Sequence, residues 1–195
     1  MFAPAEQWPP NDTWAYHDWH SDANGDVKPF MASMAEQFGA PTSLEDFERK
    51  AQMMNYANHR AMFEGFNANL WRPNTGRFMW MSHPAWPSLN WQMYGSDYDT
   101  YGAFYGIRKA CEPLHVQLNL PELRVGVINN TAEARRALRV RIRVVGTDGR
   151  ILSDRTETLD APANTSVDGP ALSGLPDAAV FVRLAGCNLR CRYCD

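Results

Sequence analysis

The sequence predicts two structural units in series: helices with a short buried strand and long aromatic loops, then an all-β unit. Three observations carry this. All seven Trp fall at or before Trp91, and of 23 aromatic residues only Phe181 and Tyr193 lie beyond Tyr105. Residues 1–120 hold 8 Lys+Arg against 13 Asp+Glu, whereas residues 121–195 hold 11 Arg against 9 Asp+Glu. From His115 onward the texture changes to alternating apolar and polar residues. One packed domain seldom shows such a break, so the units should meet near residues 112–120.

Each element has its own warrant. Met1–Pro29 is dense in Trp, Pro, Asp, Asn and His and shows little periodicity, which reads as a long structured loop. Phe30–Phe38 fits a short helix closed by Gly39. Ser43 is a good N-cap, with Glu45 and Asp46 in the first turn. Leu44, Phe47, Ala51, Met54, Asn58, Ala61 and Met62 then recur near the helical period, predicting a helix from Leu44 to Phe63 or Gly65. Arg72-Pro73-Asn74-Thr75-Gly76 is a turn. Arg77–Met81 is an apolar run suited to a buried strand, and it empties into the aromatic loop His83–Trp91. Thr100–Cys111 reads as a helix stopped by Glu112-Pro113.

Beyond it, His115–Leu120, Leu123–Ile128 and Leu138–Val145 alternate with period 2, the mark of half-buried antiparallel strands. Asn129-Asn130, residues 146–149 and Asp168-Gly169-Pro170 punctuate them as turns. Strands at roughly ten-residue spacing suggest a β-sandwich, though about 75 residues is short of the ~100 such a domain usually takes.

Composition excludes several classes. With 45% hydrophobic and 21% charged residues over 195 positions, wholesale disorder is not expected. No apolar run approaches the ~18 residues of a spanning helix, so no membrane partner is expected. Met1–Glu6 shows neither a basic n-region nor an apolar h-region, so no signal peptide is read there. A net charge of -3 argues against a nucleic-acid partner.

The aromatic loops suggest a chemistry. Trp presents a flat apolar face beside a polar edge, and carbohydrate rings present apolar C–H faces rimmed by hydroxyls. Trp platforms edged by His, Asp, Asn and Gln therefore suit a sugar. Trp80 and Trp86 are the leading candidates, with His17 and Asp18 from the first loop. The competing reading makes each Trp a core residue and each His a hydrogen-bonded loop residue.

Here the residues carry a resemblance. Ala61–Asn67, Thr75–Ser88, Trp91–Tyr94 and Tyr105–Gln117 resemble the end of the catalytic barrel of glycoside hydrolase family 2, in its β-mannosidase and exo-β-glucosaminidase-like branch. The matching features are a Trp-bearing strand, a Trp86-Pro87-Ser88 loop, a helix and a Lys109-Ala110-Cys111-Glu112-Pro113 segment. The resemblance spans roughly residues 6–180. It implies an α/β plus all-β fold. Residues 1–112 would be the C-terminal part of a (β/α)8 TIM barrel, and 113–185 an incomplete immunoglobulin-like β-sandwich. A Cys-rich tail, 186–195, would follow.

Trp80 and Trp86 would match the family's aromatic wall. Asn90, Trp91 and Gln92 would lie on its rim. The implied activity is removal of a β-linked sugar, such as a β-mannoside or β-glucosaminide, from a non-reducing end, with a carbohydrate as partner and no cofactor.

One departure matters. Retaining glycosidases need two carboxyl groups about 5–5.5 Å apart. In the family both are Glu on the fourth and seventh strands, and both motifs would precede Met1. Glu6 sits in a loop-like setting, Glu64 lies on the long helix, and Asp97 and Asp99 read as turn or cap residues. The chain is therefore expected to be a fragment without its own turnover.

Four cysteines remain. Cys111 is expected to be a buried thiol. Cys187, Cys191 and Cys194 form a C-x3-C-x2-C cluster. Three such thiolates can hold three irons of a [4Fe–4S] cluster, and unpaired thiols favour a reducing compartment. Phe181–Asp195 resembles the radical SAM cluster loop of 7-carboxy-7-deazaguanine synthase, which implies a [4Fe–4S] cluster and S-adenosylmethionine under that alternative alone. A third alternative is a non-catalytic carbohydrate-binding module.

Overall fold

The computed structural model describes residues 2–17, 27–89, 92–120 and 122–175, and the backbone of 180–186. By its contacts the chain divides into two compact units. The first comprises Met1–Ala61 and Phe78–Lys109, the second Met62–Arg77 and Ala110–Asp195.

Among the described residues the first unit holds helices and loops. A short 3-10 turn, Pro4–Glu6, precedes helix α1, Asp12–Tyr16. The opening segment is therefore less irregular than its composition suggested. Asn11 explains the local order: its Oδ1 accepts from Thr13 N at 2.9 Å, and its Nδ2 donates to the Glu6 and Pro9 carbonyls at 2.8 and 2.9 Å. Helix α2, Val27–Phe38, ends at Gly39, whose φ of 81° is the left-handed conformation that closes helices.

Helix α3 runs Leu44–Ala68, a turn longer than its periodicity indicated. Ser43 Oγ accepts from Asp46 N at 3.2 Å, and Asp46 Oδ2 accepts from Thr42 N at 3.1 Å, so two orphan donors are satisfied reciprocally. The Lys50 ammonium, 2.9 Å from Asp46, also donates to the Gly39 and Ala40 carbonyls at the end of α2. This hydrogen bond, with help from Thr42, holds the Asp46 carboxyl below its ordinary range.

Helix α4, Gly102–Ala110, docks on α3 with backbone in contact. A Cβ at Gly102 would strike the Gln52 carbonyl oxygen, and one at Gly106 would strike that of Tyr56. Two glycines four residues apart thus lie over two carbonyls four residues apart. Gln52 Oε1 accepts from Gly102 N at 2.6 Å and so caps α4. The core of this unit is Trp14, Met34, Phe47 and Met54, with Phe2, Trp8, Phe30, Leu44 and Leu89 packed around it.

The second unit contains two three-stranded antiparallel sheets. β1 (Leu114–Asn119), β2 (Arg124–Asn129) and β5 (Thr165–Ala171) form one, in the order β1-β2-β5. β3 (Arg135–Gly146), β4 (Ile151–Ala161) and β6 (Val180–Gly186) form the other, in the order β4-β3-β6. Val125 and Val127 of β2 and Leu138, Val140, Ile142 and Val144 of β3 share one buried cluster, so the sheets face each other as a sandwich. The alternation read from the sequence is the alternation seen: even-numbered β3 residues from Leu138 to Val144 are buried, and Arg139 and Arg141 between them are exposed.

Asn129 ties the unit together. It is 0% exposed, and its Nδ2 lies 2.9, 3.0 and 2.9 Å from the carbonyls of Glu133, Ala161 and Pro162. Its Oδ1 accepts from Thr131 N and Oγ1 at 3.1 and 2.7 Å. The C-terminal end of α3 packs on β1. Glu64 Oε1 lies 2.8 Å from His115 Nε2, and Gln117 Nε2 donates to the Glu64 carbonyl at 2.7 Å. Glu64 is thus a structural group, joined to a histidine that is 1% exposed.

Two expectations are corrected. Arg77–Met81 is not a buried strand: it pairs with no strand among the described residues, and Phe78 is fully exposed. A central strand needs hydrogen-bonded neighbours on its edges, and among the described residues none pairs with this segment. Cys111 is not buried but exposed, with the Arg77 guanidinium 3.5 Å from its sulfur. Arg77 stands 4.2 Å over the Phe63 ring and donates to Asn67 Oδ1 at 3.2 Å. Its charged head keeps that edge polar, and Cys111 is flanked in sequence by the charged Lys109 and Glu112.

Candidate functional site

The aromatic site is built in the first unit by the end of α1 and the loop 82–94. His17 follows α1, where its N–H is shared between the Thr13 and Trp14 carbonyls at 3.1 Å each. Its carbonyl accepts from Leu89 N at 3.0 Å, and its Nδ1–H donates to the Pro87 carbonyl at 2.7 Å. Two cross-links separated by seventy residues of sequence thus hold the loops edge to edge. With Nδ1 committed as donor, neutral His17 presents Nε2 as an acceptor.

Trp86 stacks on the imidazole with ring centroids 5.2 Å apart and planes 22° apart. Tyr16 meets Trp86 edge-on at 5.6 Å, and Phe2 approaches His17 at 5.0 Å. One Trp86 face is thus supported by protein, while the residue stays 38% exposed. Sequence reasoning missed Tyr16 and Phe2. Their only signal was position, one beside His17 and the other at the chain start.

Trp80, in the segment Arg77–Met81, is 81% exposed, and its peptide to Met81 is cis. The loop after it is closed by Met93 N and Tyr94 N, both donating to the Ser82 carbonyl at 3.1 Å. Gln92, expected on the rim, is instead 2% exposed, and its Oε1 has no hydrogen-bond partner among the described residues. Asp18, Asn90, Trp91, Cys187, Cys191 and Cys194 lie outside the described residues.

The carboxylates of this unit that had been weighed as candidates are engaged locally. Glu6 Oε1 accepts from Thr13 Oγ1 at 3.0 Å. Asp97 Oδ1 accepts from Asp99 N at 3.1 Å, and Asp99 Oδ1 from Thr100 N at 2.8 Å, which makes both turn residues. Burial, with Asp97 and Asp99 adding repulsion, pushes the Tyr101 phenol above its ordinary range. Trp86 on an imidazole shelf offers stacking and one hydrogen-bond acceptor. The pair does not supply the two carboxyl groups that a retaining glycosidase needs.

Comparison with known proteins points the same way. No family model matches the chain. Over 169 residues the chain is 39% identical to an exo-β-D-glucosaminidase of Amycolatopsis orientalis, covering 82% of this chain and 16% of that one. It is 37% identical over 141 residues to a mannosylglycoprotein endo-β-mannosidase of Lilium longiflorum, covering 72% and 14%. The crystal structure of Amycolatopsis orientalis exo-chitosanase CsxA superposes with a TM-score of 0.83 at 30% identity, covering 95% of this chain and 23% of that one. A β-D-mannosidase from Dictyoglomus thermophilum shares the fold, with a TM-score of 0.82 at 16% identity over 95% of this chain and 23% of its own. The chain is thus similar, over most of its length, to one segment of these β-glycosidases. It spans 16% of the length of the first of these relatives.

Proposed function

We propose that the chain is a C-terminal segment of a family 2 β-glycosidase of the exo-β-glucosaminidase and β-mannosidase branch. Its first unit would be the end of the catalytic (β/α)8 barrel and its second the immunoglobulin-like sandwich beyond it. The carrying observation is the stacked His17–Trp86 pair, cross-linked through Leu89 N and the Pro87 carbonyl. It presents a supported aromatic face of the kind that packs on a sugar ring, with Trp80 as a second wall.

The exo-chitosanase CsxA has been solved in complex with PNP-β-D-glucosamine, which makes a β-D-glucosaminide the first substrate to try. The catalytic carboxylate pair lies outside these 195 residues on this reading. Glu6, Asp97 and Asp99 are held by backbone and hydroxyl groups, and Glu64 by His115. The chain's part is to position the sugar, and hydrolysis needs the rest of the barrel.

Calorimetric titration with D-glucosamine and D-mannose tests the reading, beside a release assay on PNP-β-D-glucosamine. Weak binding that Trp86→Ala abolishes, without p-nitrophenol release, is expected. Turnover by this chain would overturn the assignment of the carboxylates, and equal binding by Trp86→Ala would overturn the site.

The radical SAM alternative rests on Cys187, Cys191 and Cys194. It concerns about fifteen residues, against a similarity to β-glycosidases that covers 82% of the chain. Anaerobic reconstitution with iron and sulfide should give no thiolate-to-iron absorbance band. A stoichiometric band would restore that alternative.

A further inference from the structure

The second unit carries a charge pattern that a sugar-positioning role does not use. All eleven cations after residue 120 are Arg and none is Lys, whereas three of the eight before it are Lys. The outward face of the β4-β3-β6 sheet gathers several of them. Arg139, Arg141 and Arg143 alternate along β3, opposite Thr158, Thr156 and Asp154 of β4. On the other side of β3, register places position 183, also an arginine, beside Arg143.

One acid serves this row. Asp154 accepts from Arg141 Nε and Nη2 at 2.8 and 2.6 Å, and from Arg143 Nε and Nη2 at 3.0 and 2.9 Å. Asp160, farther along the same face, is engaged by Ala137 N at 2.7 Å. Arg139 is exposed and makes no ion pair among the described residues. Asp154 therefore holds two guanidinium groups while leaving the row with an excess of positive charge.

We propose that this face binds an extended carboxylate-bearing polysaccharide. Guanidinium forks match carboxylates bidentately, and a row of alternate residues repeats at roughly 7 Å along a flat strand. Duplex DNA, the competing polyanion, is an arm of the test below. A cationic glycan such as chitosan is repelled by this face. On the reading that the aromatic site takes a glucosaminide, this face serves a different ligand and holds the protein to an anionic matrix.

The test is affinity electrophoresis of the 195-residue chain in gels containing polygalacturonate, neutral dextran, dextran sulfate, chitosan or duplex DNA. Retardation by polygalacturonate alone is expected, with weakening at higher salt. Replacing Arg139, Arg141 and Arg143 together with Gln should weaken it at least about tenfold. Arg139→Glu, which breaks no described ion pair, should weaken it about threefold with an unchanged circular dichroism spectrum.

Stronger retardation by dextran sulfate or DNA would overturn the ligand class. No retardation by polygalacturonate, or equal retardation of Arg139→Glu, would overturn the site. Self-association that Arg139→Glu dissolves, without polygalacturonate binding, would overturn it in favour of a second copy of the chain.

Discussion

Gly106→Ala tests the packing that holds the first unit together. Alanine is a better helix former than glycine by about 1 kcal/mol, so an exposed site would gain stability. Gly106 is not such a site. The new methyl would strike the Tyr56 carbonyl oxygen and lie 3.1 Å from Tyr56 C and 3.2 Å from Arg60 N. These are backbone atoms of α3 and cannot rotate away, so α4 must lift. Overpacking of this kind costs about 1–3 kcal/mol, and rigid neighbours put it near the top of that range. Subtracting the propensity gain leaves a net loss of about 2 kcal/mol. For a unit of this size that is a fall in Tm of roughly 8–16 °C.

Gly65→Ala is the internal control. Gly65 lies in α3 with nothing within 4 Å of the added carbon, so the same substitution should stabilise by about 0.5–1 kcal/mol. Differential scanning calorimetry of both variants reads the two signs. A Gly106→Ala chain as stable as the parent would refute the backbone contact between α3 and α4.

Asn129→Ala should destabilise the sandwich by about 3 kcal/mol, read by urea denaturation, because it strips several buried carbonyls of their donor. Asn129-Asn130-Thr131 matches the Asn-x-Thr acceptor pattern, and the same burial predicts that Asn129 stays unglycosylated in a secretory host, which mass spectrometry of the intact chain checks. Asp154 is held at about 2, chiefly by its hydrogen bond to Arg141. Its ionised form therefore stabilises the β3–β4 pair above about pH 4, and that contribution is lost as pH falls toward 2. Asp154→Asn should flatten the acid limb of a denaturation profile over that window. Burial lowers the His59 imidazole below its ordinary range, so the unfolded chain takes up the proton first as pH falls. Stability of the first unit should decline from about pH 7 downward, and His59→Gln should remove that slope.

Much of the fold was legible because local chemistry and tertiary structure agree. Ser43 and the spacing from Leu44 through Met62 specify α3, and the alternation from Leu138 to Val145 specifies β3 down to which residues face inward. The failures share a cause. Arg77–Met81 has the composition of a buried strand, but composition cannot supply a hydrogen-bonding neighbour. Cys111 has the residue type of a buried thiol, yet the Arg77 guanidinium sets its surroundings. Asn11 organises the opening segment through three short-range bonds that no periodicity reveals.

The site was legible in kind more than in arrangement. Trp86 and His17 were marked by residue type, and the structure stacks them. Gln92 was assigned to the rim by its place in the loop and instead turns inward. The spacing of Gly102 and Gly106 is the sequence signal of the close approach of α4 to α3.

Tryptophan fluorescence of the 195-residue chain, titrated with D-glucosamine and repeated on Trp86→Ala, tests the central claim most directly. A saturable change in the parent chain, weakened about tenfold in Trp86→Ala, is predicted for a sugar resting on the His17–Trp86 shelf. A flat titration in the parent chain, or the same curve in both proteins, would contradict the assignment of that shelf as a sugar site.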